Sequence, residues 1–171
     1  MAHLRRRLVV VRHAKSAYPP GVPDVGRPLG ERGQADAPVM GRRLHELVGP
    51  LDLAVVSPAR RTQETWSLLA LAWPDEPAVR VDERIYRDWG AGLLEVVRGL
   101  PDEASTALVL GHEPGVSELV LRLADHAARD LRERIDLKFP TCAAAVLELS
   151  GPWAEAGHGS AALEAFLTPK D

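Results

Sequence analysis

Short apolar runs alternate along this chain with longer stretches in which apolar residues recur every three or four positions. Residues 8–11 (Leu8, Val9, Val10, Val11), 53–56, 107–110 and 143–149 form nearly continuous apolar runs. Runs of this length bounded by polar or turn-forming residues predict buried strands. A weaker run over 78–81 predicts one more. Residues 16–30 are rich in proline and glycine and predict a loop. After it, Ala37, Met40, Leu44 and Leu47 follow a three-four spacing, which predicts a helix that starts near Pro38 or kinks there. Further helices are predicted over 61–71, 93–100 and 116–124, and a short one over 161–167 in the Gly- and Ala-rich tail. Strands alternating with helices predict an α/β fold: three layers, with a mostly parallel central sheet and helices on both faces.

The length, 171 residues, suits one domain, with a core over about 7–149 and a less regular tail over 150–171. A hydrophobic content of 46% is enough for a packed core, and a net charge of -3 gives no reason to expect nucleic acid as a partner. Cys142 is the single cysteine, so no intrachain disulfide can form, and a reducing cytoplasm is the expected compartment. It lies in an apolar run and reads as a buried structural residue. No apolar stretch reaches the roughly 18–20 residues that span a bilayer. The basic N-terminus precedes only a four-residue apolar run, too short for a signal peptide.

Three of the predicted strands end in polar clusters. The first ends in Arg12-His13, the second in Ser57-Pro58-Ala59-Arg60-Arg61-Thr62, and the run at 107–110 in Gly111-His112-Glu113-Pro114-Gly115. Open α/β sheets hold their ligands at the carboxyl ends of their strands, so these clusters are expected to converge. Two imidazoles and two guanidiniums make a dianion site, because each arginine forks two N–H bonds to phosphoryl oxygens. A neutral imidazole can attack phosphorus, while the arginines and a second, protonated histidine stabilise the equatorial oxygens without a metal. Taken singly, each cluster has a plainer explanation: a surface histidine, a solvated arginine pair, a turn. Other templates are missing. There is no phosphate-binding glycine loop, His112-Glu113 does not extend to a zinc-binding motif because residue 116 is Val116, and His3, His45, His126 and His158 lack ligand spacing.

These residues resemble the histidine phosphatase superfamily, which includes phosphoglycerate mutases and acid phosphatases. Its marks, Arg-His-Gly, Ser-x-x-x-Arg-Ala-x-x-Thr and a late Gly/Ser-His, stand here as Arg12-His13-Ala14, Ser57 to Thr65 and Gly111-His112. The likeness runs over about residues 7–149 and implies a phosphoglycerate mutase-like fold. Arg27-Pro28-Leu29, Ser57-Pro58 and the Gly-His-x-Pro sequence bring the chain nearest to the small SixA-type phosphohistidine phosphatases. Only about fifty residues separate Arg61 from His112, without the large insertion of the mutases, which implies a small, open site.

The resemblance implies that His13 is the nucleophile and that Arg12, Arg61 and His112 bind and stabilise the transferring phosphoryl group. Arg61 rather than Arg60 takes that role because Thr65 falls four places after it. Arg27 would be a further anion contact, with Ser16 and Thr65 as weaker candidates. Glu83, in Val81-Asp82-Glu83-Arg84, resembles the proton donor of the mutases, with Asp88 second; a surface carboxylate paired with Arg84 or Arg87 is the alternative. Ala14 and Glu113 depart from the family's Gly and Asn. The implied activity is a phosphatase that needs no cofactor and acts on phosphohistidine of a partner protein. The alternatives are a phosphatase for small phosphate esters and a non-catalytic phosphate-binding module.

Overall fold

The computed structural model describes residues 5–171, so the first four residues, His3 among them, lie outside it. Six strands form one sheet: β1 (Arg6–Arg12), β2 (Leu53–Val56), β3 (Ala78–Val81), β4 (Thr106–Gly111), β5 (Ala144–Leu149) and β6 (Ala161–Leu167), in the order β3-β2-β4-β1-β5-β6. The first four run parallel, and β5 runs antiparallel to both β1 and β6. Between them lie α1 (Glu31–Val48), α2 (Arg60–Leu69), α3 (Arg84–Arg87), α4 (Trp89–Arg98), α5 (Gly115–Leu123) and α6 (Arg129–Leu137).

Alternation along the strands builds the three layers. Val9 and Val11, with Ala54, Val56, Leu108 and Leu110, face one side, where Ala37, Met40 and Leu44 of α1 and Trp66 and Leu69 of α2 cover them. Leu8 and Val10, with Val55 and Val109, face the other, under Leu93 and Val97 of α4 and Leu119 and Leu123 of α5. The central strands are buried on both faces, which is why they read as continuous apolar runs.

The predicted strands all form, but three expectations are corrected. The segment 161–167 is an edge strand, not a helix. Its alanines suggested helix, yet Ala161 and Leu163 alternate with exposed neighbours and pair with β5, so the available sheet edge overrides propensity. Helix α1 begins at Glu31 and runs through Pro38; the bond that proline cannot donate is outweighed by a buried face of Gly33, Ala37, Met40, Gly41, Leu44 and Val48. Leu47 is exposed, and Val48 takes the core position instead.

One glycine positions the site. A Cβ on Gly33 would lie 2.3 Å from the carbonyl oxygen of Lys15, so α1 can lie against the segment after β1 only with glycine there. Gly33→Ala is expected to lower stability by about 1–3 kcal/mol through this overlap. Thermal unfolding should show a melting point several degrees lower; an unchanged one would mean that the segment moves aside freely.

Candidate active site

Every polar cluster comes to the carboxyl edge of the parallel strands, where β1, β2 and β4 end in His13, Ser57 and His112. Because β5 is antiparallel, its beginning, Thr141 and Cys142, lies at the same edge. A cavity of about 210 Å³ is lined there by Arg12, His13, Lys15, Arg27, Arg61 and His112, among others. A second, of about 440 Å³, adjoins it through Arg61, His112 and Glu113, and adds Asp24, Ile85 and Tyr86.

His13 is almost fully buried, and its Nδ1 lies 2.7 Å from the carbonyl oxygen of Ala14. A carbonyl only accepts, so Nδ1 carries the proton and Nε2 keeps its lone pair. Burial, with Arg61, Arg12 and Arg27 nearby, lowers its pKa to about 4, so the ring is neutral at neutral pH. The ring of His112 lies 5.2 Å away, centroid to centroid. Its Nδ1 accepts from Arg61, 3.3 Å away, and its Nε2–H donates to Ser57 Oγ at 2.8 Å. Burial, His13 and Arg61 lower the pKa of His112 to about 3. The expectation of a protonated second histidine is therefore corrected for the free site. A bound dianion would raise that pKa by supplying opposite charge.

The arginines are fixed from behind. Arg12 donates to the carbonyl of Phe139 at 2.9 Å, and Arg61 to the carbonyl of Asp24 at 2.8 Å. The Nε–H groups of both are buried without a partner. Arg61 is buried in the cavity wall, whereas Arg60 faces solvent and pairs with Glu64. Thr65 ties the strand end to α2: its hydroxyl accepts from the N–H of Ala14 at 3.0 Å and donates to the carbonyl of Arg61 at 2.6 Å. Ala14 has no positive φ, so its Cβ is accommodated without backbone strain. Ser16 Oγ accepts from Arg27 at 2.7 Å, and the Arg27 guanidinium stacks over the ring of Tyr18.

Glu113 lines the cavity, but both its oxygens accept from Ser117 in the first turn of α5, a place where negative charge is favoured. Glu83 lies apart, exposed and paired with Arg87, and lines neither cavity. Cys142, at φ 62°, donates its backbone N–H to the carbonyls of Arg12 and His13, so it braces the end of β1. Burial pushes its thiol pKa up to about 12, which leaves it un-ionised.

Sequence reasoning missed Asp24 and Tyr86. The carboxylate of Asp24 accepts from Arg61, Arg27 and the Tyr86 hydroxyl, and lies at pKa about 2 because of that hydroxyl and the two arginines. An acidic residue three places before Arg27 was the signal available, but nothing in the spacing linked it to Arg61, 37 residues on.

The profile of the histidine phosphatase superfamily (branch 1) matches residues 8–107, and the chain belongs to that family. An uncharacterized protein of Mycobacterium tuberculosis is 40% identical over 162 residues, spanning 94% of this chain and all of its own. Among solved structures, SixA from Nakamurella multipartitia is 27% identical, with 96% of each chain covered and a TM-score of 0.86. The protein histidine phosphatase SixA complexed with tungstate shares the fold at 20% identity, with a TM-score of 0.75 over 96% of this chain and 97% of that one. The chain is thus a histidine phosphatase with a three-layer α/β fold.

Proposed function

We propose that this histidine phosphatase removes the phosphoryl group from phosphohistidine on a partner protein, through a phosphoenzyme on His13. The observation that carries the reading is the short stretch between Arg61 and His112: its residues go into β3, α3, α4 and β4 and, among the described side chains, lend Ile85 and Tyr86 to the cleft. A side chain on a protein surface can reach the mouth of such a cleft.

In the first step the Nε2 lone pair of His13 attacks phosphorus, and the bond from phosphorus to the substrate's imidazole nitrogen breaks. That nitrogen takes a proton from solvent water at the mouth of the cleft as it leaves. Arg12, Arg61 and His112 stabilise the equatorial oxygens. The charge gained by the His13 ring is met by its Nδ1–H bond to Ala14. In the second step water attacks phosphorus and gives up a proton to solvent, and the P–Nε2 bond breaks, which returns its electron pair to Nε2. Imidazole leaves more readily than an alkoxide, so the chemistry does not require Glu83, which lies outside the cavity. The reading needs no metal and expects chelators to have no effect. It places the protein in the cytoplasm; no helix among the described residues is long and apolar enough to cross a membrane.

The second reading, a phosphatase for small phosphate esters, is favoured by one observation: the adjoining 440 Å³ cleft has room for a small organic leaving group. Rates on a phosphohistidine-bearing carrier domain and on a panel of esters separate the two. A preference of at least about a hundredfold in kcat/KM for the carrier, about 2.7 kcal/mol in the transition state, is expected. Equal or faster turnover of one ester would establish the second reading instead.

A further inference from the structure

We infer that Asp24 is a specificity-determining residue of the phosphate site: in the free protein it holds the guanidiniums of Arg61 and Arg27, which penalises small phosphates relative to phosphoryl groups carried on a larger substrate. The inference rests on the phosphatase reading above.

Asp24 opens a single 3-10 turn in the loop between β1 and α1. Its backbone carbonyl accepts from Arg61 at 2.8 Å. One carboxylate oxygen accepts from Arg61 at 3.1 Å and from the Tyr86 hydroxyl at 2.7 Å. The other accepts from Arg27 at 3.3 and 3.2 Å. Towards both arginines it therefore does what a phosphoryl oxygen would do. The side chain of Asp24 is 54% exposed while that of Arg61 is 7% exposed, so a loop residue reaches in to a buried cation.

Two costs follow for an entering phosphate. Three of the five N–H groups of Arg61 are already engaged, one by the carbonyl and two by the carboxylate and His112, so a phosphoryl oxygen can be forked by the two terminal nitrogens only by displacing one of those bonds. A fixed negative charge also stands beside a dianion and opposes it. Free phosphate and small esters have only the cavity's contacts to set against these costs. A phosphoryl group on a protein brings further contacts from outside the cavity. A carrier protein that contacts the exposed carboxylate of Asp24 can draw it off the arginines and so bears less of the penalty than a small phosphate confined to the cavity, and that difference is the selectivity. The penalty also speeds release of inorganic phosphate after each turnover.

The test is calorimetric binding of inorganic phosphate to the wild-type protein, Asp24→Asn and Tyr86→Phe, with rates on p-nitrophenyl phosphate and on the phosphohistidine carrier measured in parallel. Asn keeps the shape and one acceptor oxygen and removes the charge. Asp24→Asn should bind phosphate at least about fivefold more tightly, and the preference for the carrier over the ester should narrow by a similar factor. Tyr86→Phe loosens Asp24 but keeps its charge, and should shift both in the same direction by about twofold. Unchanged or weaker phosphate binding by Asp24→Asn overturns the inference, since a residue that merely braces Arg61 would give that result. If Asp24→Asn does not fold, the direction of the Tyr86→Phe shift decides. A wild-type protein that binds phosphate yet hydrolyses neither substrate overturns the phosphatase reading and this one with it. An active wild type whose selectivity is unmoved in Asp24→Asn overturns this one alone.

Discussion

His13→Ala should abolish turnover, with kcat on any phosphate substrate reduced by at least about 10³-fold. The reason lies in the two imidazoles, which face each other in one cavity yet are bound differently. Both ring nitrogens of His112 are engaged, one accepting from Arg61 and the other donating to Ser57. Only one nitrogen of His13 is engaged, by the carbonyl of Ala14. The free lone pair is therefore on His13, which is why the proposed mechanism makes it the nucleophile. Rapid quenching with labelled substrate should trap a label on the wild-type protein that is stable in alkali, labile in acid and absent from His13→Ala. His112→Gln should form the same label more slowly, because it loses charge stabilisation but not the nucleophile. A label that survives His13→Ala and disappears in His112→Gln would exchange the two roles.

Much of this site was legible because its residues sit where the period of the chain changes. Ser57 directly follows an apolar run, His13 and His112 stand one residue beyond theirs, and runs buried on both faces are the easiest strands to read. The inward arginine was legible for a different reason: the family motif's spacing, with Thr65 four places after Arg61, picks Arg61 over Arg60, and Arg61 is the one that is buried in the cavity wall. Legibility failed where contact across the fold, rather than local period, decides the structure. Helix α6 fully buries only Ile135, with Leu131 packed partly buried beside it, among six charged residues of nine, so its apolar stripe is too short to read. Strand β6 is a strand because β5 offers it an edge. Asp24 and Tyr86 meet across 62 positions, from a loop and a four-residue helix, with no periodicity in either. Glu83 shows the converse: a local sequence likeness pointed to it, but the turn of α3 carries it to Arg87 and away from the cavity.

Acid should destabilise this protein over a window set by its two active-site histidines. Their pKa values fall from 6.5 to about 4 for His13 and about 3 for His112, since burial and the surrounding cations oppose a further positive charge. The unfolded chain thus binds protons that the folded site refuses. Stability is fully present above pH 6.5 and declines as pH falls; the loss from His13 levels off below about pH 4 and that from His112 below about pH 3. For His13 alone the fall from 6.5 to about 4 corresponds to on the order of 3 kcal/mol. Asp24 acts in a separate window: its pKa falls from 3.8 to about 2, so its contribution is lost only as pH drops through that lower range. Urea titrations at intervals from pH 7 to pH 4 should show the histidine loss, and His13→Gln should flatten it. Imidazole NMR should place both titrations well below pH 5 in the free protein, with His112 moving upward when inorganic phosphate binds. The acid limb of kcat/KM on a substrate that does not itself titrate there should follow His13, since the protonated ring has no lone pair to offer. Midpoints near 6.5 for both rings would mean that water and phosphate reach the cavity floor freely, and that the neutral state of His13 owes nothing to its burial. Full acid sensitivity retained in His13→Gln would assign the loss to carboxylates elsewhere in the fold.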